Sequence, residues 1–302
     1  GKIGVLFLDE LDVVFSTPGD AAKAALAKVD QLVAFTNEPM DSLTQNALVL
    51  PPGSTLETWG DNHAVLGRHT LQQPAMRALK DVRSTGDILL AAAKNLGLQP
   101  PPAPPVPAEG EEPKDEEVVQ AAPPAGPTLN AENFTNFLQD WWTANVHPHH
   151  GGEWNTFWRS AVQRGGAWHK PELVKTRVVT TELPASGEAV TGEGVHLVLH
   201  PHQLVYDGRH ANRPWAQEMP DPVTGNVWST WAEVNLDWAH EMGLAEDEEV
   251  TLQTENGSIT LPWFGSPGIR KDTVAVVMGN GHESSGRYAE YGSNPVKLIG
   301  AA

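Results

Sequence analysis

A proline-rich, acidic stretch at residues 99–130 interrupts the 302-residue chain and limits its folded parts to what lies before and after it. Ten of the chain's 25 prolines fall here, together with an acidic run from Glu109 to Glu117. Proline keeps such a segment extended, and its few apolar residues cannot offset the entropy lost on ordering. We therefore predict a linker without regular secondary structure; a strap that binds a partner surface is the alternative.

The residues before this stretch predict a parallel α/β layer. Residues 3–8 form a short apolar run that is typical of a strand buried on both faces. A helix is predicted over residues 21–29 with Asp20 as its N-cap, and further strands are predicted over residues 31–36 and 47–50. Because the chain opens directly on a buried strand, we expect it to begin inside a larger fold.

Two helices are predicted after the linker. Aromatic residues recur at helical spacing over residues 134–142 and 154–162, and Gly165-Gly166 is a helix-ending signal. Such a stripe could stack on a ligand, but aromatic residues at this spacing are more often packed against a neighbouring element. We expect the aromatic side chains to form a core.

The last hundred residues predict a small β-barrel with one crossover helix. The helix is predicted over residues 236–242, closing on Gly243. Asn256-Gly257 lies between two alternating segments and predicts a hairpin with a type I′ turn. The predicted strands cover residues 195–200, 250–254, 258–262 and 274–278.

Composition excludes several classes of function. The net charge of −18 opposes binding to nucleic acid or to an anionic membrane through a broad basic face. The absence of cysteine excludes disulfides, thiolate zinc sites and cysteine-ligated iron–sulfur clusters from this chain. No apolar run approaches the ~18 residues of a membrane span.

Two histidine clusters have the residue type of a metal site: His147-Pro148-His149-His150 and His200-Pro201-His202. Zinc requires three or four converging ligands, and the prolines prevent the i, i+4 spacing of a helical site. We predict surface or core histidines and no metal ligand, with a metal site as the alternative.

A glycine-rich turn follows the last predicted strand at Gly279-Asn280-Gly281-His282, with Gly286 nearby. Glycine allows the backbone to approach another group closely. That group is either another segment of this chain or a ligand, and a lone glycine cluster does not decide between them.

Several long strings resemble the molybdopterin oxidoreductase family of the dimethyl-sulfoxide-reductase type, and they occur in family order. Residues 46–61 resemble its "A-D-x-x-L-P … x-L-E-x-W-G-D" pattern, and residues 81–90 resemble its "D-x-R-x-x-x-D-I-L-L" helix. Residues 231–252 resemble "V-x-I-N-P-x-D-A-x-x-L-G-I-x-D-G-D-x-V" in its dinucleotide-binding domain. The resemblance implies an α/β plus β chain with these parts: the C-terminal part of a Rossmann-like domain over 1–98, the linker over 99–130, an aromatic helical connector over 131–192 and a double-psi β-barrel over 193–302.

A narrower similarity points to one branch of that family. Residues 212–224 and 281–295 are similar to the large subunits of quinone-linked respiratory complexes. These include polysulfide-reductase-like enzymes, the molybdopterin-like subunit of menaquinone reductase and the iron–sulfur subunit of alternative complex III. The similarity implies partner subunits that carry iron–sulfur clusters, bind quinone in the membrane or belong to the cytochrome c type. It also implies membrane association through those partners, on the periplasmic face.

Departures from the family pattern leave two functions open. Where the family shows a "G-x-N-P" turn, this chain has Glu10 and Asp12, whose charges would repel a pyrophosphate. The first function is therefore an oxidoreductase-complex subunit with a structural or electron-transfer role and no molybdenum cofactor of its own; whether the chain is itself catalytic stays open. The alternative is a catalytic subunit that binds molybdopterin guanine dinucleotide. Under that alternative the resemblance implies cofactor contacts at Asp41, Ser42, Gly279, Gly281, His282 and Asn294. It identifies no catalytic residue.

Overall fold

The computed structural model describes residues 2–98, 129–171, 194–245 and 248–300. The chain divides into two compact units. The first unit is built from Gly1–Leu50 together with Thr181–Ala302, and the second unit from Pro51–Thr180. The linker lies almost entirely outside the described residues, so its lack of regular structure stays a prediction.

The N-terminal part of the first unit is a parallel α/β layer, as predicted. Its strands pair in the order β1-β2-β3, and both pairs are parallel. The sequential elements are β1 (Val5–Asp9), α1 (Val13–Ser16), α2 (Ala21–Leu26), β2 (Gln31–Phe35) and β3 (Leu48–Val49). Asp20 is the N-cap residue of α2, but its side chain makes no capping hydrogen bond.

The prediction that the first strand is buried on both faces is wrong. Val5 and Phe7 in β1 are 52% and 55% exposed, whereas β2 is buried from Leu32 to Phe35. In this sheet β2 has a neighbour on each side and β1 has one. Apolar composition identified a strand correctly, but it cannot distinguish a central strand from an edge strand.

The second unit packs helices against a small antiparallel sheet. The strands β4 (Gly60–Val65), β5 (Arg68–Gln72) and β6 (Gly166–Trp168) pair in that order. The helices are α3 (Thr85–Asn95), α4 (Phe134–Asn145), a 3-10 turn at His147–His149, and α5 (Trp154–Arg164).

The aromatic runs form the core of this unit, which confirms the packing interpretation. Trp142 and Val146 are fully buried. Gly165 ends α5 with a φ of 73°. The partly buried side chains packed on this core are Trp59, Trp141, Trp154, Phe157, Trp158 and Val162.

The C-terminal part of the first unit contains a five-stranded mixed sheet. Its order is β7-β11-β8-β10-β9; the pairs β7/β11 and β8/β10 are parallel, and the other two are antiparallel. The elements are β7 (His196–Pro201), α6 (Pro214–Glu218), β8 (Ala232–Val234), α7 (Leu236–Met242), β9 (Glu249–Gln253), β10 (Ser258–Gly265), β11 (Thr273–Met278) and a 3-10 turn at Pro295–Leu298.

The described residues do not form the expected double-psi β-barrel. The edge strands β7 and β9 do not pair with each other in this part of the chain, so the sheet is open. Alternation and turn signals predict individual strands, but they do not determine whether a sheet closes. None of the helices in the described ranges combines the length and the apolar character needed to cross a bilayer.

The predicted hairpin exists, but its turn type is wrong. β9 and β10 pair as expected, and Thr254 donates to the carbonyl of Gly257 at 2.9 Å, which makes Glu255-Asn256 the two-residue loop. Neither loop residue, nor Gly257, has a positive φ, so the turn is not type I′. Glycine is needed at 257 for another reason: a Cβ there would lie 2.8 Å from the carbonyl oxygen of Lys297.

Candidate functional site

The turn between β1 and α1 keeps a glycine-like backbone without a glycine. Glu10 has a φ of 48°, in the left-handed region that favours glycine. Its amide donates to the carbonyl of Phe35 at 3.0 Å, which ties the turn to β2. Asp12 then caps α1 by accepting from the amide of Phe15 at 3.3 Å.

Asp12 also organises the loop that follows β2. Its Oδ2 accepts from the amide of Asp41 at 2.7 Å, and its Oδ1 accepts from the hydroxyl of Ser42 at 2.5 Å. Ser42 is 1% exposed, and its Oγ accepts in turn from the amide of Val14 at 3.0 Å. The carboxylate of Asp12, which was predicted to repel a pyrophosphate, therefore accepts hydrogen bonds from other residues of this chain.

Asp41 connects this loop to the glycine-rich turn. Its Oδ2 lies 3.0 Å from Nδ1 of His282, and its Oδ1 accepts from the amides of Glu283, at 3.0 Å, and Ser284. Burial raises the pKa of Asp41, but the hydrogen bond and charge of His282 and the two amides outweigh it, and the net pKa is lowered. Asp41 therefore links segments that lie 241 residues apart in the sequence.

His282 is enclosed by groups that the sequence did not indicate. Its ring stacks on Phe15 with the centroids 3.5 Å apart and the planes 11° from parallel. Nδ1 also lies 2.9 Å from the hydroxyl of Ser285. Nε2 is buried, has no hydrogen-bond partner among the described residues and faces Gly208, where a Cβ would come within 2.6 Å of it.

The two predicted glycines are required by this chain's own backbone. A Cβ at Gly279 would lie 2.6 Å from the carbonyl oxygen of Tyr206, and a Cβ at Gly281 would lie 2.3 Å from the amide nitrogen of Asn294. Both have positive φ values, 124° and 86°. The Asn294 side chain donates to the carbonyl of Phe15 at 2.8 Å. At these two positions another segment of this chain is enough to explain the glycines, and the cofactor contacts stay a prediction.

Asp12, Asp41 and His282 are also the one group in the described ranges whose three metal-ligating atoms lie within 4.8 Å of one another. All four carboxylate oxygens already accept hydrogen bonds, and a cation would have to displace those donors. The arrangement instead works as a polar clamp, the name we use below for these three residues with Ser42. It joins the α/β layer to the glycine-rich turn.

The clamp does not fit an incoming phosphate. Phosphates bind where backbone amides are free and no carboxylate competes. Here five amides are already used by side-chain oxygens of the clamp, and two carboxylates stand where an anion would have to approach. These amides belong to Val14, Phe15, Asp41, Glu283 and Ser284.

A polar cavity of about 340 Å³ lies beside the clamp. Gly281, His282 and Asn294 form one part of its wall, and Lys297 contributes a cation that pairs with Glu283 at 2.9 Å. Ser258, Thr260 and Ser293 add hydroxyl groups. Three of the six predicted cofactor contacts, Gly281, His282 and Asn294, therefore line this cavity.

The histidines of the second predicted cluster have ordinary structural roles in this unit. His202 is 5% exposed, and its Nδ1 accepts from the amides of Leu204 and Val205 at 2.9 and 3.2 Å. His200 lies 3.8 Å from Glu233. Burial lowers the pKa of His202, which keeps the buried ring neutral.

Comparison with known sequences identifies the C-terminal third of the chain. Residues 204–299 match the family described as "Molydopterin dinucleotide binding domain". Over 102 residues the chain is 33% identical to the molybdopterin-containing subunit ArrA of the arsenate respiratory reductase of Shewanella sp. strain ANA-3. The match spans 33% of this chain and 12% of that subunit.

Comparison with solved structures extends the likeness to the fold of both units. The structure of acetylene hydratase from Pelobacter acetylenicus matches with a TM-score of 0.64 at 12% identity. The match covers 98% of this chain and 40% of that one. The mixed α/β fold of this chain is therefore similar to part of the fold of acetylene hydratase.

Proposed function

We propose that this chain is the C-terminal portion of a molybdopterin-type oxidoreductase subunit, and that residues 204–299 contribute to binding molybdopterin guanine dinucleotide. The family match over those residues carries the proposal, because the matched family is described as a molybdopterin dinucleotide binding domain. The similarity to a molybdopterin-containing reductase subunit supports the same assignment. Redox chemistry in such a subunit belongs to the cofactor, and the protein positions it.

We assign the dinucleotide to the polar cavity rather than to the clamp. Lys297 supplies a positive charge at the cavity wall, where a phosphate would compete with Glu283 for it and where Glu290 also lies, and the neighbouring hydroxyls can donate to phosphate oxygens. The carboxylates of Asp12 and Asp41 do not bind the dinucleotide in this assignment, since their oxygens accept hydrogen bonds from the chain itself. In this assignment Asp41 and Ser42 do not contact the cofactor. Asp41 instead holds His282 in the cavity wall, and Ser42 binds Asp12, which in turn binds the amide of Asp41.

A second candidate is a subunit of a quinone-linked complex that keeps the fold without a molybdenum cofactor. The clamp favours it, because its carboxylates take the amides that would otherwise bind a phosphate. The subunit would then pack against iron–sulfur and membrane quinone-binding partners and support electron transfer between them.

Metal and pterin analysis of the intact complex from its native source separates the two candidates. About one molybdenum or tungsten per subunit, with a fluorescent pterin released on oxidation, supports the first proposal. A complex with neither, whose electron-transfer activity survives growth in tungstate, refutes it and supports the second.

A matched pair of variants tests the cavity. Lys297→Gln removes the charge at the cavity wall, and Lys271→Gln removes a lysine in a similar surface pair with Glu241 at 2.6 Å. We expect pterin content to fall in Lys297→Gln alone. An equal content in the two variants would contradict the assignment of the cavity.

A further inference from the structure

Five histidines from four separate places in the sequence meet on the second unit. His63 lies in β4, His69 in β5, His149 and His150 at the 3-10 turn after α4, and His169 directly after β6. The ring centroids of His149 and His169 are 4.0 Å apart, those of His69 and His169 5.3 Å, and those of His150 and His169 5.9 Å. The β5–β6 pairing sets His69 opposite Ala167, two residues before His169. We call these five residues the histidine cluster.

A hydrogen-bonded relay fixes the tautomers at one end of the cluster. Oδ2 of Asp61 accepts from Nε1 of Trp142 at 3.0 Å and lies 2.7 Å from Nε2 of His63. Nδ1 of His63 lies 2.6 Å from Nδ1 of His69. With both rings neutral, Asp61 requires the proton of His63 on Nε2, so Nδ1 of His63 accepts from His69. Nε2 of His69 is then left with a free lone pair.

A second member of the cluster also has a ring nitrogen that is not used in a hydrogen bond with any described residue. Nδ1 of His169 is buried and has no hydrogen-bond partner in the described part of the chain. Neutral imidazoles with unused lone pairs, one held by a histidine–carboxylate pair, are the ligands that transition metals take.

The spacing of the rings suits a shared ion. A Zn–N bond of about 2.0 Å plus about 1.1 Å from nitrogen to ring centre sets the centroids of two tetrahedral ligands about 5 Å apart. The three centroid separations around His169, from 4.0 to 5.9 Å, bracket that value. The rings of His149 and His69 stack on His169 with planes 8° and 17° from parallel, so their in-plane lone pairs do not converge in this arrangement. No three of these side chains have ligating atoms within 4.8 Å of one another among the described residues. Binding therefore requires the rings to turn, which the exposed side chains of His149 and His150 can do.

We propose that the histidine cluster binds a divalent transition metal ion such as Zn²⁺ or Ni²⁺ through His69, His149 and His169, with Asp61 and His63 positioning His69. An imidazole-only donor set selects these ions over Mg²⁺ and Ca²⁺, which prefer oxygen ligands. The site lies wholly within the second unit and is independent of any cofactor in the first.

Calorimetric titration of the EDTA-treated full chain with ZnCl₂ and with NiCl₂ tests the proposal. We expect one ion per chain and a rise in the thermal unfolding temperature with added metal. His149→Gln should weaken binding at least tenfold, and because this side chain is exposed the variant should fold normally. His69→Gln should have an equal or larger effect, with folding checked by circular dichroism without metal.

Two controls locate the ion. His240→Gln removes a histidine of α7 in the other unit and should leave the affinity unchanged. Asp41→Asn removes a member of the clamp, the competing three-ligand group, and should also leave the affinity unchanged at a temperature where circular dichroism shows that this less stable variant is folded. Absence of saturable binding, equal affinity in His149→Gln and the wild type, or loss of binding in Asp41→Asn alone would each overturn the proposal.

Discussion

Replacing Asp41 by asparagine should destabilise the first unit strongly although the side chain barely changes in size. The aspartate side chain is 6% exposed and accepts from the ring of His282 and from two amides. Hydrogen bonds to a charged group contribute about 1.5–3 kcal/mol each, and a buried donor without a partner adds a desolvation cost. Asparagine can still accept from the two amides, but its NH₂ group cannot accept from His282. We expect the free energy of unfolding to fall by about 2–4 kcal/mol.

Hydrogen exchange at the amides of β2 reports this loss in the correct unit. Since each 1.4 kcal/mol is a factor of ten, exchange that requires opening of the unit should accelerate by roughly 30- to 700-fold. Asp20→Asn is the control, because Asp20 is exposed and its side chain makes no capping hydrogen bond. A change below about 0.5 kcal/mol in Asp41→Asn, or one equal to the control, would refute the clamp as a stabilising element.

The same clamp predicts an acid-dependent loss of stability. The pKa of Asp41 in the folded chain is lowered from its ordinary value of 3.8. Its contribution is therefore present above pH 3.8 and is lost as the pH falls through the lowered pKa. Asp41→Asn should lack this part of the acid transition.

Two further perturbations test other parts of the structure. Gly257→Ala places a Cβ 2.8 Å from the carbonyl oxygen of Lys297 and should lower the free energy of unfolding in urea by about 1–3 kcal/mol. Gly268→Ala, where no described atom lies within 4 Å of the added Cβ, should change it little. Equal effects would show that close approach is not the reason for glycine at 257. Burial, then the neighbouring histidines, lower the pKa of His69 from 6.5 to about 4, so the contribution of this ring to the stability of the second unit should be fully present above pH 6.5 and be lost as the pH falls towards 4. His69→Gln should weaken this pH dependence of the unfolding temperature, and His240→Gln should not. An unchanged pH dependence in His69→Gln would contradict the assignment of this effect to His69.

Local signals in the sequence predicted local structure well. The helix over residues 236–242 was predicted with the bounds that the structure gives to α7. Both ends are set by neighbours in sequence: Asn235 accepts from the amide of Trp238, and Gly243 closes the helix with a φ of 76°. The strands β4 and β5 gave no such signal, since most of their residues are exposed and no apolar alternation marks them.

The sites depended on contacts that no local pattern contains. Resemblance named Asp41 and His282, but nothing in the sequence indicated that Phe15 stacks on His282 or that the aspartate binds this chain rather than a ligand. The histidine cluster stayed hidden because its members are joined by the pairing of β5 with β6, which was not predicted. His147-Pro148-His149-His150 lies at a 3-10 turn, and the ring that His149 and His150 contact belongs to His169, which is distant in the sequence.

The discontinuous first unit has a consequence for synthesis. Asp41 cannot contact His282 until that residue, 241 positions later, has been synthesised. At a typical 5–20 residues per second, translation of the intervening segment takes about 10–50 s. During that interval the β1–β3 layer lacks the glycine-rich turn that closes it, while the exposed Val5 and Phe7 of its edge strand can pair with other chains. A protein truncated before residue 282 therefore lacks the contacts of Asp41 with His282, Glu283 and Ser284, and it should aggregate more readily than the full-length chain.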